Sequence, residues 1–320
     1  MRFDKPETVA SIAAMLGNRK YSGPADHRIT GINEIHMVEP GDLTFVDHPK
    51  YYDRALNSRA TTIIINKELP PPENKALIFS ETPFDDYMSL VRRFRPFEPA
   101  ANMISPTAVI GEGTRIQPGV FIGNNVKIGR NCLIHANVSI YDHTVIGDNV
   151  IIHSGTVLGA DAFYFQKRAE ETVKFESCGR VIIGNNVEIG ACCTVDKGVS
   201  GDTVIGDYTK LDNHIQIGHD THVGKRCLFA SAVIIAGVST IEDDVILWGQ
   251  VAVNKELVIG KGAVVLATSA VDKSLPGGKV YFGVPATEAR KKWKELAMIR
   301  NLPEIIEQMN RFTKDGGTEG

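Results

Sequence analysis

Residues 108 to 161 divide into nine consecutive hexads without a slip: AVIGEG, TRIQPG, VFIGNN, VKIGRN, CLIHAN, VSIYDH, TVIGDN, VIIHSG and TVLGAD. The third residue of each is aliphatic, from Ile110, Ile116 and Ile122 onward to Leu158, and the first is small or β-branched. A period of six with Gly, Asn or Asp after the aliphatic residue prescribes one short flat strand and one turn per repeat, and three such units close a triangular coil. The aliphatic side chains then point inward and stack on their counterparts one coil away, about 4.8 Å off, while Gly and Asn supply positive φ at the corners. The glycines are thus read as corner residues and not as a phosphate cradle. The pattern resumes at VIIGNN (181–186), runs through VEIGAC, shifts by four residues around Gly198 to Asp202, and continues from Thr203 to about Val271. The expected fold is mainly β, a left-handed parallel β-helix of hexapeptide repeats over 108–275, with both interruptions looped outside the prism.

The flanks follow other periods. In 1–107, Val9, Ile12, Ala13 and Leu16 recur at helical spacing and Gly17 closes the segment, whereas DLTFV (42–46) and TTIIIN (61–66) read as buried strands and LPPPENK (69–75) after them as a loop. This predicts an N-terminal α/β domain joined through a proline-rich linker near Phe94 to Ser105. Over 276–320 the pattern predicts C-terminal α-helices: one stripe of Ala289, Trp293, Leu296 and Ile299, a break at Pro303, and a second stripe of Ile305, Ile306, Met309 and Phe312. The closing KDGGTEG is expected to fray.

The formal charge of -3 argues against a nucleic-acid surface, which gains its affinity from a net basic face. MRFDKPETVA lacks the apolar core of a signal peptide and no stretch reaches the ~18 apolar residues of a membrane span, so a cytoplasmic location is expected. The five cysteines, at 132, 178, 192, 193 and 227, are odd in number and lack CxxC spacing, and are read as reduced thiols.

A solenoid has no deep cavity of its own, so a site is expected in the groove between neighbouring prisms of a trimer, built from polar residues that break the hexad rule. The richest such segment is LDNHIQIGHDTHVG at 211–224, with Asp212, Asn213, His214, Gln216, His219 and His222. His219 is the outstanding candidate: an imidazole suits a base for an amine attacking a thioester carbonyl. Gly237, in IAGVST, lies eighteen residues on and hence one coil beyond, where its backbone N–H suits a developing oxyanion. A corner-turning role for Gly237 stays open on spacing alone.

With these residues identified, the chain resembles the UDP-3-O-(3-hydroxyacyl)glucosamine N-acyltransferases of lipid A synthesis over nearly its whole length. The resemblance rests on ITGINEI, GDLTFVDHPKYY, GADAF, VEIGACCTVDKG, IQIGHD and FGVPA. It implies a homotrimer that takes its acyl group from the phosphopantetheine arm of acyl carrier protein with no bound cofactor or metal. It also implies His219 as general base, Gly237 as oxyanion amide, and Asp212, Asn213 and Gln216 as cleft residues. Phe45 and Tyr51 match the family's uracil-stacking aromatics, and a flat base does need such faces.

Three departures accompany this match. His48 stands where the family has an asparagine, Glu256 aligns with a substrate-orienting histidine, and FYFQKRAEETVKFES replaces a glycine-rich loop. Ala270 aligns with a methionine that limits acyl length, which implies room for a longer chain. On the C-terminal segment Arg290, Lys291, Lys292, Lys294 and Arg300 form a basic patch suited to an acidic carrier protein.

Three other readings are open. One is a hexapeptide O-acyl- or N-acetyltransferase acting on another nucleotide sugar, against which the 107 residues before the first hexad count. Another is a zinc hydrolyase using His214 and His219 with His153 or His222 as a third ligand. The last is an inactive paralogue, for which Glu256 is the main support.

Overall fold

The computed structural model describes the backbone of residues 1–315 and side chains through residue 311. Phe312 and the closing KDGGTEG fall outside the described side chains. Each hexad forms a two-residue strand, such as Lys127–Ile128, that pairs in parallel with the strands one coil before and one coil after it, at Val109–Ile110 and Val145–Ile146. Three flat faces result, of eight, ten and eight strands. The chain is a left-handed parallel β-helix.

First and third hexad positions both point inward: Val120, Ile122, Val126 and Ile128 are at most 4% exposed, and the ladder continues to Val271. Each buried aliphatic side chain contributes about 1.5–3 kcal/mol relative to exposure, so the column of rungs holds the coil together. The residue between them faces outward, where a site can be built.

The corners divide the work expected of Gly and Asn. Positive φ belongs to the sixth hexad position, filled by Asn125, Asn131 and Asn137 but also by Tyr208, Arg226 and Val238. Fourth-position glycines such as Gly111 have an ordinary φ and are required for another reason: a Cβ on Gly111 would lie 2.5 Å from the carbonyl carbon of Gly129 in the next coil.

Both interruptions leave the prism, yet neither is free in solvent. The first holds a hairpin of Phe165–Lys167 with Thr172–Lys174. Ala162, Phe175 and Cys178 from this loop, and Val199 from the second, are buried in the core of the N-terminal domain. That domain has a six-stranded sheet whose central strands Arg28–Ile32, Asp42–Val46, Thr62–Ile65 and Ala76–Phe79 are parallel. The helix Val9–Met15 starts at Thr8, whose hydroxyl accepts from Ser11 N–H, and stops before Gly17 at φ 80°. A second helix, Pro83–Phe94, was not foreseen; it buries Phe84, Tyr87, Met88, Leu90 and Val91.

The C-terminal expectation needs two corrections. The coil continues past 275, because Val280–Phe282 adds a rung to Val264–Val265. Beyond it runs one helix, Ala289–Asp315, with Pro303 inside it. Proline removes a single N–H, and the carbonyl it orphans belongs to exposed Ile299, where water replaces the lost bond. Among the described residues no helix is long and apolar enough to cross a membrane.

Candidate active site

His219 occupies the fifth position of its hexad, just before the corner residue Asp220 at φ 55°. Its Nδ1 lies 2.9 Å from Asp220 Oδ2, an oxygen that also accepts Val199 N–H at 2.8 Å. The Asp220 side chain is fully buried while His219 keeps 17% exposure. This arrangement orients the ring and favours the tautomer whose Nε2 lone pair faces the cleft.

Gly237 is the fifth-position residue one coil on. A Cβ there would meet His219 Nε2 at 2.7 Å. Its φ is not positive; the corner is turned by Val238 at φ 62°, so close approach and not turning explains the glycine. At equivalent positions elsewhere, the N–H is taken by a side chain of the next coil, as Lys225 N–H is by Asp243 and Ala191 N–H by Asn213. The residue above Gly237 is Lys255, which has no acceptor to offer. Among the described residues the Gly237 N–H has no hydrogen-bond acceptor, leaving it available to a developing anion beside Nε2.

These residues line a cleft of about 840 Å³ between the coil and the N-terminal domain. Phe45, Tyr51, Gln216 and Glu256, all expected from the sequence, line it too. Phe45 backs onto Tyr87, Phe84 and Phe175 at centroid distances of 4.9, 5.9 and 6.0 Å. Tyr51 is 45% exposed at the mouth. Glu256 is a corner residue at φ 60° whose carboxylate pairs with Lys255 at 3.5 Å.

Three acids of the cleft region escaped the sequence reading. Asp220 sat in the IQIGHD motif without an assigned role. Burial pushes the Glu34 carboxyl up to about 8, with the Asp220 charge adding to the effect and a hydrogen bond from Tyr164 opposing it. Burial likewise pushes Asp196 up to about 6, against a hydrogen bond from Gln216 and the nearby His219. The one available signal was their place inside ITGINEI and VEIGACCTVDKG.

The other expected residues stand apart from His219 in the single chain. Asp212 and Asn213 do not join His219: they line a groove of about 550 Å³ on another face, with Leu228, Trp248 and Lys210. Lys210–Leu211 belongs to the ten-stranded face and Gln216–Ile217 to an eight-stranded one, so the corner between them turns these polar residues away. His48 stands outside the cleft lining, its Nδ1 accepting Lys50 N–H at 3.2 Å. Ala270 is likewise outside, three rungs from Gln216 through Ile234 and Ala252 on the same outward stripe. In the basic patch, Lys292 lies down over Gly283 and pairs with Glu295, which leaves Arg290, Lys291, Lys294 and Arg300 exposed. Among the described residues no group of three or more His, Cys, Asp or Glu is placed to hold a metal ion within the single chain.

Comparison with known proteins agrees with this construction. A family described as UDP-3-O-(3-hydroxymyristoyl) glucosamine N-acyltransferase matches residues 26–93, and one described as bacterial transferase hexapeptide, six repeats, matches residues 125–160. A UDP-3-O-acylglucosamine N-acyltransferase of Albidiferax ferrireducens is 41% identical over 312 residues, 94% of each chain. That of Oleidesulfovibrio alaskensis is 38% identical over 331 residues, 96% of each chain. A Methylorubrum extorquens protein of the same name is 42% identical over a shorter stretch, 45% of this chain and 41% of its own length. A crystal structure of a UDP-N-acetylglucosamine acyltransferase from Bacteroides fragilis shares the coil with a TM-score of 0.53 at 25% identity, covering 60% of this chain and 74% of that one. Near-complete coverage at such identity, joined to the shared coil, is decisive: the chain belongs to the family of UDP-3-O-acylglucosamine N-acyltransferases.

Proposed function

We propose that this protein transfers a 3-hydroxyacyl chain from the phosphopantetheine thioester of acyl carrier protein to the 2-amino group of UDP-3-O-(3-hydroxyacyl)glucosamine. The observation that carries the reading is the convergence of an aspartate-oriented imidazole, His219, and an unused N–H, Gly237, in one cleft with Phe45 and Tyr51. The uracil ring stacks on the two aromatics and sets the glucosamine toward the coil. As the amine attacks the thioester carbonyl, His219 Nε2 takes the amine proton and Gly237 N–H donates to the oxyanion. Collapse expels the pantetheine thiolate, which receives the proton back from His219. The products are the amide and the free thiol.

A homotrimer fits the placement of Asp212 and Asn213, since the face they occupy is then available to the His219 cleft of a neighbouring copy. The outward stripe Gln216, Ile234, Ala252 and Ala270 offers an apolar path for the incoming acyl chain. The exposed cations on Ala289–Asp315 suit the acidic carrier.

The test is transfer from a set of 3-hydroxyacyl carrier proteins to UDP-3-O-acylglucosamine by the wild type and His219→Ala. Transfer by the wild type with a loss of about 10²–10⁴ in the variant supports both reaction and base. Inactivity of the wild type with every donor overturns the reading.

A further inference from the structure

Asp196 lines the cleft one rung below the reacting groups. It follows Val195, which pairs with Ile217, so its place one rung up is taken by Gly218, the residue before His219. Ile217 in turn pairs with Ile235, which puts Ala236 and Gly237 on the rung above that. Gly218 leaves the column open, since a Cβ there would lie 2.6 Å from Gly237 N. A carboxylate thus stands below the gap and the free Gly237 N–H above it, two rungs or about 9.6 Å apart, with the His219 imidazole beside them.

Only half of that carboxylate is used by the chain. Gln216 Nε2 donates to Oδ2 at 2.8 Å, and the Thr194 hydroxyl donates to Gln216 Oε1, which fixes the amide with its nitrogen toward Asp196. Oδ1 accepts no hydrogen bond among the described residues. Nor does a cation attend it: Lys197, next in the chain, turns to Asp161 at 2.7 Å, and Asp196 enters no ion pair among the described residues. The carboxylate is half-buried without a counter-charge, and burial raises its affinity for a proton. A cation brought by the acceptor itself would relieve it.

We propose that Asp196 is the specificity residue for the acceptor's amine: its Oδ1 accepts an N–H of the 2-amino group and holds the nitrogen below the thioester carbonyl whose oxygen Gly237 receives. This rests on the reading of the protein as an N-acyltransferase with His219 as base. The amine arrives as ammonium, drawn by the carboxylate, and gives one proton to water. Of the two N–H that remain, one stays on Asp196 and the other faces His219 Nε2, which takes that proton as the N–C bond forms. The carboxylate takes no proton; it aims the nitrogen lone pair at the carbonyl carbon. A hydroxyl in place of the amine brings no charge to Oδ1, so Asp196 sorts amino sugars from their hydroxyl counterparts.

The experiment measures, by calorimetry at pH 7 without acyl donor, binding of UDP-3-O-acylglucosamine and of UDP-3-O-acylglucose, which has a hydroxyl for the amine. Wild type and Asp196→Asn are compared, with steady-state transfer in parallel. Asparagine keeps the shape and its amide oxygen still accepts Gln216 Nε2–H, so a role confined to propping Gln216 predicts no change. The expected result is a wild-type preference for the amine of about tenfold or more that Asp196→Asn abolishes, with affinity for the hydroxyl analogue within about twofold and kcat lowered about 10-fold to 100-fold. Equal affinity of the wild type for the two sugars overturns the proposal. So do a preference that survives in Asp196→Asn, an equal loss of affinity for both sugars, and an unchanged kcat in that variant. Absence of both binding and transfer in the wild type would overturn the N-acyltransferase reading instead, which keeps the two failures apart.

Discussion

The Nε2 atom of His219 lies 2.7 Å from where a methyl carbon on Gly237 would stand. Since Gly237 has no positive φ, alanine there creates no backbone strain, and the clash falls on the imidazole alone. Gly237→Ala is expected to melt within about 1 kcal/mol of wild type and to lose about 10²–10³ in kcat, the range for a disturbed oxyanion site. Calorimetry beside steady-state kinetics checks both halves. Equal activity would show that the histidine has room the geometry denies.

Asp220 governs which nitrogen of His219 carries the proton. Asp220→Asn keeps the size, but Val199 N–H and Nδ1 meet on one atom, Oδ2, so an amide oxygen there serves both without the carboxylate charge and the flipped amide sets an N–H against both. A loss of about 10²–10⁴ in kcat with KM little changed is expected, as for other histidines deprived of an orienting carboxylate. Nitrogen NMR of the labelled ring reports the tautomer directly.

Glu34 links the site to stability. Burial and the Asp220 charge hold its folded carboxyl at about 8, against 4.5 for the ordinary group, so between these values the folded chain keeps a proton that the unfolded chain releases. Its contribution is therefore complete below the unfolded value and is lost as pH rises toward and through the folded one. Glu34→Gln removes this dependence: Tm of the variant should gain on wild type between about pH 5 and pH 8.5. Parallel melting curves across that interval would refute the assignment.

Ala270 carries little bulk at the far end of the outward stripe, three rungs beyond Gln216. Donors longer than fourteen carbons should be used faster than shorter ones, and Ala270→Met should shift preference to shorter chains by about tenfold per two methylenes lost from contact. Equal rates on short and long donors in the wild type would dismiss the length control.

The exposed Arg290, Lys291, Lys294 and Arg300 are open to screening. Raising salt from about 0.05 to 0.3 M should raise KM for the carrier protein about tenfold and leave transfer from a small acyl-pantetheine donor unchanged. Equal salt effects on both donors would place the effect elsewhere.

The coil was legible because its rule repeats. Each aliphatic third position reports the same inward direction, so the partial exposure of Ile110, on the strand that ends its face, does no harm. The N-terminal helix and two strands were legible for the same reason, and Pro83–Phe94 was missed although its apolar residues are spaced as a helix requires. His219 stood out by the polar residues around it, and eighteen-residue stacking placed Gly237 beside it. That Asp212 and Asn213 face away from His219 within one chain was not legible, because adjacency in sequence says nothing about which side of a corner a residue takes. Glu34 was passed over for a plainer reason: its partner lies far along the chain, and only folding brings it to the loop at Ser200. Proline at 303 misled because a helix surrounded by water tolerates the one bond it loses.

Ser139 pairs with Val157, eighteen residues on, whereas Val157 pairs with Thr194, thirty-seven on, and Thr194 with Gln216, twenty-two on. All three steps raise the chain by one storey. Height in this molecule is counted in storeys and not in residues, so whatever is spliced in at a corner leaves the alignment of every rung above it unchanged. The prism behaves as a graduated post on which side pieces are hung, and those two splices are what bring a distant domain to bear on a histidine whose own address along the post never changes.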